Sequence, residues 1–211
     1  MRRSYHLLVI AIPLLSLACK NNPVDSNPPV VHIIPMKVGN SWTYAQTNYD
    51  TLGNITSSGE FKFLVAKDSL IAGKTFFAVF RDTLVASSYY HGYFSGLPWR
   101  VNTDSGLVKI KDLLPNGPYL ILEYKYPALT NDFFIRDDLG AKVIATNVSV
   151  QVPAGTFNCI KYEFSYGLRL FEVYIQPGLG EIKSVAYFGY NPFSKKDSVS
   201  STTALKSYIL N

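Results

Sequence analysis

Three histidines, two cysteines and 15 acidic residues are the side chains in this 211-residue chain from which catalysis or metal binding could be built. His6 belongs to an apolar leader considered below. His32 lies in a Pro-rich stretch, and His91 lies in Tyr89-Tyr90-His91-Gly92-Tyr93-Phe94. A zinc site needs three or four converging N, S or O ligands. Neither His32 nor His91 has a second His nearby, so no metal site is assigned. A Ser–His–Asp triad would have to run through His91, and nothing marks a partner serine. The chain contains no G-x-S-x-G elbow, Walker loop, Rossmann glycine fingerprint, H-E-x-x-H or paired C-x-x-C. Carboxylates can act as acid and base without any motif. Glu60, Glu123, Glu163 and Glu172 alternate with apolar residues, which predicts solvated strand faces. Asp132, Asp137 and Asp138 cluster with Arg136 in the aperiodic segment 126–140. Their spacing is not that of an EF-hand loop, and the expectation is a solvated loop. No catalytic residue and no cofactor is assigned, and the protein is expected not to be an enzyme.

Binding and modification leave more to consider. Tyr89, Tyr90, His91, Tyr93 and Trp99 form an aromatic cluster that could stack on sugars or line an apolar pocket. Cross-strand packing explains the same residues. Four triplets read Asp, hydroxyl residue, aliphatic, with their hydroxyls on Thr51, Ser69, Thr83 and Ser198. The pattern resembles an O-glycosylation acceptor used by some Gram-negative bacteria on exported proteins. Asp with Ser or Thr also closes turns before strands, which is the competing explanation.

The elements that must position these residues are β-strands. The chain is 47% hydrophobic, 14% aromatic and 17% charged, with 15 Tyr and 13 Phe. Aromatic residues pack well on a pleated surface. Phe61, Phe63 and Val65 share one face with Glu60 and Lys62 opposite, and Phe76, Ala78 and Phe80 repeat the pattern. Residues 119–126 read as a more buried strand. Ile144, Thr146, Val148 and Val150 keep the two-residue period, as do 168–176, 181–188 and 202–210. In residues 157–164, Ile160, Tyr162 and Phe164 share a face and Cys159 lies on the other, where a structural role is expected. This gives roughly ten strands, with short helix candidates near 110–115 and 128–134. Val152-Pro153-Ala154-Gly155 predicts a three-residue hairpin loop with Gly155 left-handed, and Pro177-Gly178 predicts a type II turn. The predicted fold is all-β: a single antiparallel, strongly curved sheet, half-barrel or barrel-like or a sandwich, with few short helices.

Residues 1–18 read as a lipoprotein signal peptide. Arg2 and Arg3 precede an apolar run from Leu7 to Leu17, too short for the roughly 20 residues of a membrane span. The run ends Leu15-Ser16-Leu17-Ala18-Cys19, which resembles the lipobox of bacterial lipoproteins, shifted by one position. The resemblance implies acylation of Cys19. Residues 19–34 then read as a polar, Pro-rich, lipid-anchored flexible tether, and 35–211 as a single β-rich domain. Lys20 in place of Asp points to the outer membrane, on a face the sequence leaves open. The formal charge of +5 falls to +3 without Arg2 and Arg3, and no basic cluster suggests nucleic-acid binding.

Three segments also occur together in a group of uncharacterised exported bacterial lipoproteins that this chain resembles. They are P-x-K-x-G-N-x-W-x-Y (Pro35 to Tyr44), V-P-A-G-T-F (Val152 to Phe157) and P-G-x-G-x-x-K (Pro177 to Lys183). The resemblance implies a curved antiparallel sheet, and the group has no activity to transfer. Trp42 and Tyr44 are expected to anchor the core. The leading expectation for function is a lipid-anchored envelope module that binds or carries an apolar or glycan ligand. A structural or interaction lipoprotein with a filled core and an envelope hydrolase are the alternatives, and protein partners are unassigned.

Overall fold

The computed structural model describes residues 31–82, 99–137, 139–166, 169–189 and 198–211. These form 12 strands: β1 (Ser41–Tyr49), β2 (Ile55–Ile71), β3 (Lys74–Asp82), β4 (Trp99–Thr103), β5 (Gly106–Leu114), β6 (Gly117–Lys125), β7 (Phe133–Arg136), β8 (Leu139–Val152), β9 (Gly155–Tyr166), β10 (Arg169–Gln176), β11 (Gly180–Tyr187) and β12 (Val199–Ile209). They make one antiparallel sheet in the order β6-β5-β4-β3-β2-β1-β12-β11-β10-β9-β8-β7. Two six-strand meanders are thus joined where the first strand pairs with the last. The sheet curls into a nearly closed barrel, and its edge strands β6 and β7 meet at a seam that no backbone ladder closes.

The register shows why the sheet curls inward on one face. Trp42 sits opposite Phe63 and Tyr44 opposite Phe61, Tyr44 also faces Leu205, and Tyr162 faces Val173 and Val143. All of these side chains are buried. Residues directly opposite on antiparallel strands share a face, so the interior stripe runs continuously round the sheet. Each large apolar side chain buried this way contributes about 1.5–3 kcal/mol.

The expected stripes on β1, β2 and β9 hold, and several others change. On β3, Phe76 and Ala78 are buried, whereas Phe80 is 46% exposed. Phe63 pairs with Arg81 and Val65 with Val79, so Phe77, Val79 and Arg81 carry the interior face of β3. In β8, register shifts after Val143 and Ala145 move the phase. Ala141, Val143 and Val150 are buried, while Thr146 is exposed. The helix candidate at 110–115 is the end of β5 and its turn, and that at 128–134 is a loop leading into β7; the described residues contain no helix. Val152 pairs with Gly155, so the hairpin loop has two residues, with Gly155 at φ +136°. Pro177–Gly178 is the expected type II turn, with Gly178 at φ +82° and Leu179 N–H donating to Gln176 O at 3.0 Å.

One end of the barrel is closed by the segment 31–36, here called the strap. Ile33 and Ile34 are 1% and 4% exposed, so the packed chain begins before residue 35, inside the stretch read as tether. Gly178 N–H donates to His32 O at 2.8 Å. Asn102 Nδ2 on β4 donates to Ile34 O at 2.8 Å. These donors lie on opposite sides of the barrel, so the strap crosses its mouth. The β8–β9 hairpin bends at the same end, and Ala154 N–H donates to Leu205 O at 3.1 Å.

Candidate functional site

The three sequence motifs meet at the strap end. Gly39, at φ +93°, completes a turn in which Asn40 N–H donates to Lys37 O at 3.0 Å. Buried Asn40 then ties the two termini of the domain together. Its Nδ2 donates to Pro35 O at 2.8 Å, and its Oδ1 accepts from Asn211 N at 2.9 Å. Trp42 Nε1 donates to Leu179 O at 2.8 Å, and Tyr44 Oη donates to Glu181 O at 2.9 Å. The polar handles of two core aromatics are therefore spent on the backbone of the P-G-x-G turn. Trp42 and Tyr44 are core anchors, as expected.

Polar chemistry inside the barrel comes from residues that sequence reasoning placed elsewhere. Glu123, expected on a solvated face, is fully buried. A register shift between Leu107 and Val108 pairs Leu107 with Tyr124 and Val108 with Leu122. The bulge at Glu123 leaves both it and Tyr124 buried. Arg100 forks onto Glu123, with Nε–Oε2 at 2.8 Å and Nη2–Oε1 at 3.3 Å. Arg136, expected in a solvated loop, reaches Glu123 Oε1 at 3.3 Å from β7, across the seam. The Arg136 guanidinium also lies 5.3 Å from the Tyr124 ring and 5.2 Å from that of Phe164. Asp137 binds Lys109 at 2.9 Å and Lys111 at 3.2 Å, and Asp132 binds Lys125 at 3.0 Å. Burial pushes the Asp137 carboxyl up, but Lys109 and Lys111 together outweigh it and hold it below the usual range; the Leu129 backbone N–H and then Lys125 do the same for Asp132. Tyr162 Oη donates to Lys125 O at 2.7 Å. The Asp132–Arg136–Asp137 cluster is therefore structural: it fastens β7 to β5 and β6. Asp138 lies outside the described residues.

Glu181 is the one interior carboxyl to combine full burial with two oxygens that lack a well-aligned hydrogen bond among the described residues. Burial pushes its pKa up to about 7, while the Ser184 hydroxyl and the Arg136 charge pull it down and Glu123 pushes it up. The ordinary value is 4.5. Below pH 4.5 the acid is protonated in both folded and unfolded chains. Between 4.5 and 7 the folded chain keeps a proton that the unfolded chain has released, so stability falls as pH rises through this window and levels off above it. The loss should approach about 3 kcal/mol. Urea midpoints measured across the window should decline in the parent protein and stay nearly flat in Glu181→Gln; parallel curves would show that Glu181 is not the titrating group.

The described residues pack closely beneath the strap. Beside Ile34, Met36, Trp42, Tyr44, Phe63, Val79 and Glu181 remains a space of about 10 Å³, enough for about one water. Glu181 is the acidic group on its wall.

Of the residues singled out for binding, Tyr89, Tyr90, His91 and Tyr93 lie outside the described residues, as do Cys19 and Thr83. Trp99 begins β4, half-buried, with the Lys67 ammonium 5.6 Å from its ring. Ser69 is exposed within β2. Thr51 and Ser198 are exposed neighbours at the far end, where Ser198 Oγ donates to Thr51 O at 3.2 Å. Asp50 accepts from the Leu52 and Asn54 N–H groups at 2.9 and 2.8 Å, so at this triplet the Asp serves the turn. Cys159 is fully buried, and burial pushes its thiol up to about 12. A thiol reagent at neutral pH should leave Cys159 unmodified in the folded protein and react once urea unfolds it. Labelling without unfolding would contradict this packing.

No family model and no curated protein matches the chain. Two solved structures are similar to it over 85% of its length. One, from Bacteroides fragilis, is described as an exported protein with a YmcC-like fold; it is 12% identical, covered over 100% of its own chain, with a TM-score of 0.43. The other, from Parabacteroides distasonis, is described as a lipoprotein; it is 15% identical, covered over 99%, also with a TM-score of 0.43.

Proposed function

We propose that this protein is an exported cell-envelope lipoprotein, anchored in the outer membrane by acyl chains on Cys19, whose barrel is a non-enzymatic structural or interaction module. The anchor rests on the leader, the small residue Ala18 before Cys19, and the polar segment that follows. The reading of the barrel rests on one observation: Ile33 and Ile34 of the strap are buried in its mouth, beside a space fit for about one water. A carrier for an apolar ligand needs a pocket of several hundred Å³, so the close packing of the described residues beneath the strap supports the filled-core alternative over the carrier.

Mass spectrometry of protein extracted from its host membranes tests both parts. The expected species begins at Cys19, bears acyl chains and holds no co-purified lipid in native spectra. A mature chain starting elsewhere, or lacking acyl mass, removes the anchor. A stoichiometric lipid retained by the barrel restores the carrier. The same spectra report hexose additions at the exposed Asp–hydroxyl sites.

A further inference from the structure

The two ends of the barrel differ in one respect that bears on the membrane: the chain enters at the strap end. Val31 packs against the β10–β11 turn, 3.6 Å from where a Cβ on Gly178 would sit. Eleven residues separate it from Cys19. Fully extended they span about 40 Å, and three prolines stiffen them. Presenting the other end to lipid would require the tether to run back along the barrel, a nine-residue strand of about 30 Å.

Four exposed apolar side chains stand at the entry end. Val38 lies in the turn before β1. Leu70 lies near the tip of the β2–β3 hairpin, which runs past the barrel rim because Leu64 is already level with Ser41. Leu129 lies in the β6–β7 connection, and Leu210 follows Ile209, which pairs with Ser41. Each is exposed. Lys37 and Lys74 are exposed at the same end, where Asp68 and Asp104 offset part of their charge, so apolar contact is the larger attraction. Leu52, Ile55, Leu113, Leu114 and Phe188 are exposed at the far end too. Apolar exposure by itself does not choose between the ends; the entry point of the tether does.

We propose that the strap end is a lipid-facing surface, on which Val38, Leu70, Leu129 and Leu210 enter the bilayer interface and hold the barrel upright on its anchor. This rests on the lipid anchor at Cys19 and adds a second, non-covalent contact to it. The far end, with Thr51 and Ser198, then faces away from the membrane.

The test uses the full acylated protein in vesicles of phosphatidylethanolamine and phosphatidylglycerol. Leu70→Cys, Leu129→Cys and Leu52→Cys variants carry an environment-sensitive fluorophore; these side chains are 73%, 73% and 86% exposed, so labelling leaves the core untouched. Buried Cys159 does not compete for the label. The expected result is a blue shift, with emission lost to lipid-borne quenchers, at Leu70 and Leu129 and no change at Leu52. Vesicle-bound protein with all three probes unquenched, or all three quenched alike, overturns the docking while the anchor stands. Protein that neither floats with vesicles nor shows acyl mass on its N-terminal peptide removes the anchor, and the docking with it.

Discussion

Glu123→Gln is expected to lower the free energy of unfolding by about 3–5 kcal/mol, the usual cost of removing one partner from a buried ion pair. Glu123 and Arg100 have side chains 1% and 0% exposed, and Arg136 is 3% exposed. Removing the carboxylate leaves two buried guanidinium groups facing each other where an anion had separated them. The position matters as much as the burial, because Arg136 stands on β7 and Glu123 on β6, the two edges that no ladder joins. Urea unfolding followed by tryptophan fluorescence measures the loss. The Lys206–Glu60 pair provides the comparison: both side chains are 49% exposed, and Glu60→Gln should change stability by no more than about 1 kcal/mol. Equal effects at the two sites would mean that the buried carboxylate does not hold the seam.

The second large effect is Gly106→Ala. A Cβ there would lie 2.0 Å from Tyr124 O and 2.7 Å from Tyr126 N, both backbone atoms that cannot swing aside. Gly106 also sits at φ +126°, where an L side chain is strained by about 1–3 kcal/mol. Overpacking adds about 1–3 kcal/mol or more. The sum should unfold a large fraction of the protein or push Tyr124 out of register on β6. Gly73→Ala is the matched control. It too has positive φ, +77°, but a Cβ there meets nothing within 4 Å, and it should cost about 1–2 kcal/mol. Thermal unfolding of the two variants separates backbone strain from collision, and equal losses would rule out collision as the cause.

Much of the framework could be read from period and turn chemistry. Phe61, Phe63 and Val65 alternate without interruption, and all three are buried. The Pro177–Gly178 turn follows from one fixed φ and one positive φ. What escaped was wherever a bulge shifted the phase or a charge turned inward. The β5 sequence Leu107-Val-Lys-Ile-Lys-Asp-Leu-Leu114 repeats its apolar residues at three and four positions as well as two. Pairing with β4 and β6, which local sequence does not report, decides for the strand. Glu123 alternates like a surface residue until the bulge beside Tyr124 carries it inside. A weak signal was present in its neighbours, since an acidic residue between Leu122 and Tyr124 in an otherwise apolar strand needs a buried cation. Arg136 offered none, because its partner is 13 residues away across a seam. Glu181 follows a turn motif, and its burial depends on Tyr44 and the strap, far off in the chain.

The junction between the two meanders bears on how the protein is made. Asn40 and Asn211, 171 positions apart, are hydrogen-bonded, and β1 pairs along its length with β12. Each six-strand meander rests on hairpins close in sequence, which form early, whereas contacts this distant form late. A chain exported from its N-terminus would deliver β1 first and β12 last. Until the final strand arrives, the β1 edge, with Trp42 and Tyr44 on its inner face, stays unpaired. For a chain exported as proposed above, the envelope would have to shelter an open sheet edge throughout translocation, and a chain truncated before residue 199 would keep that edge permanently.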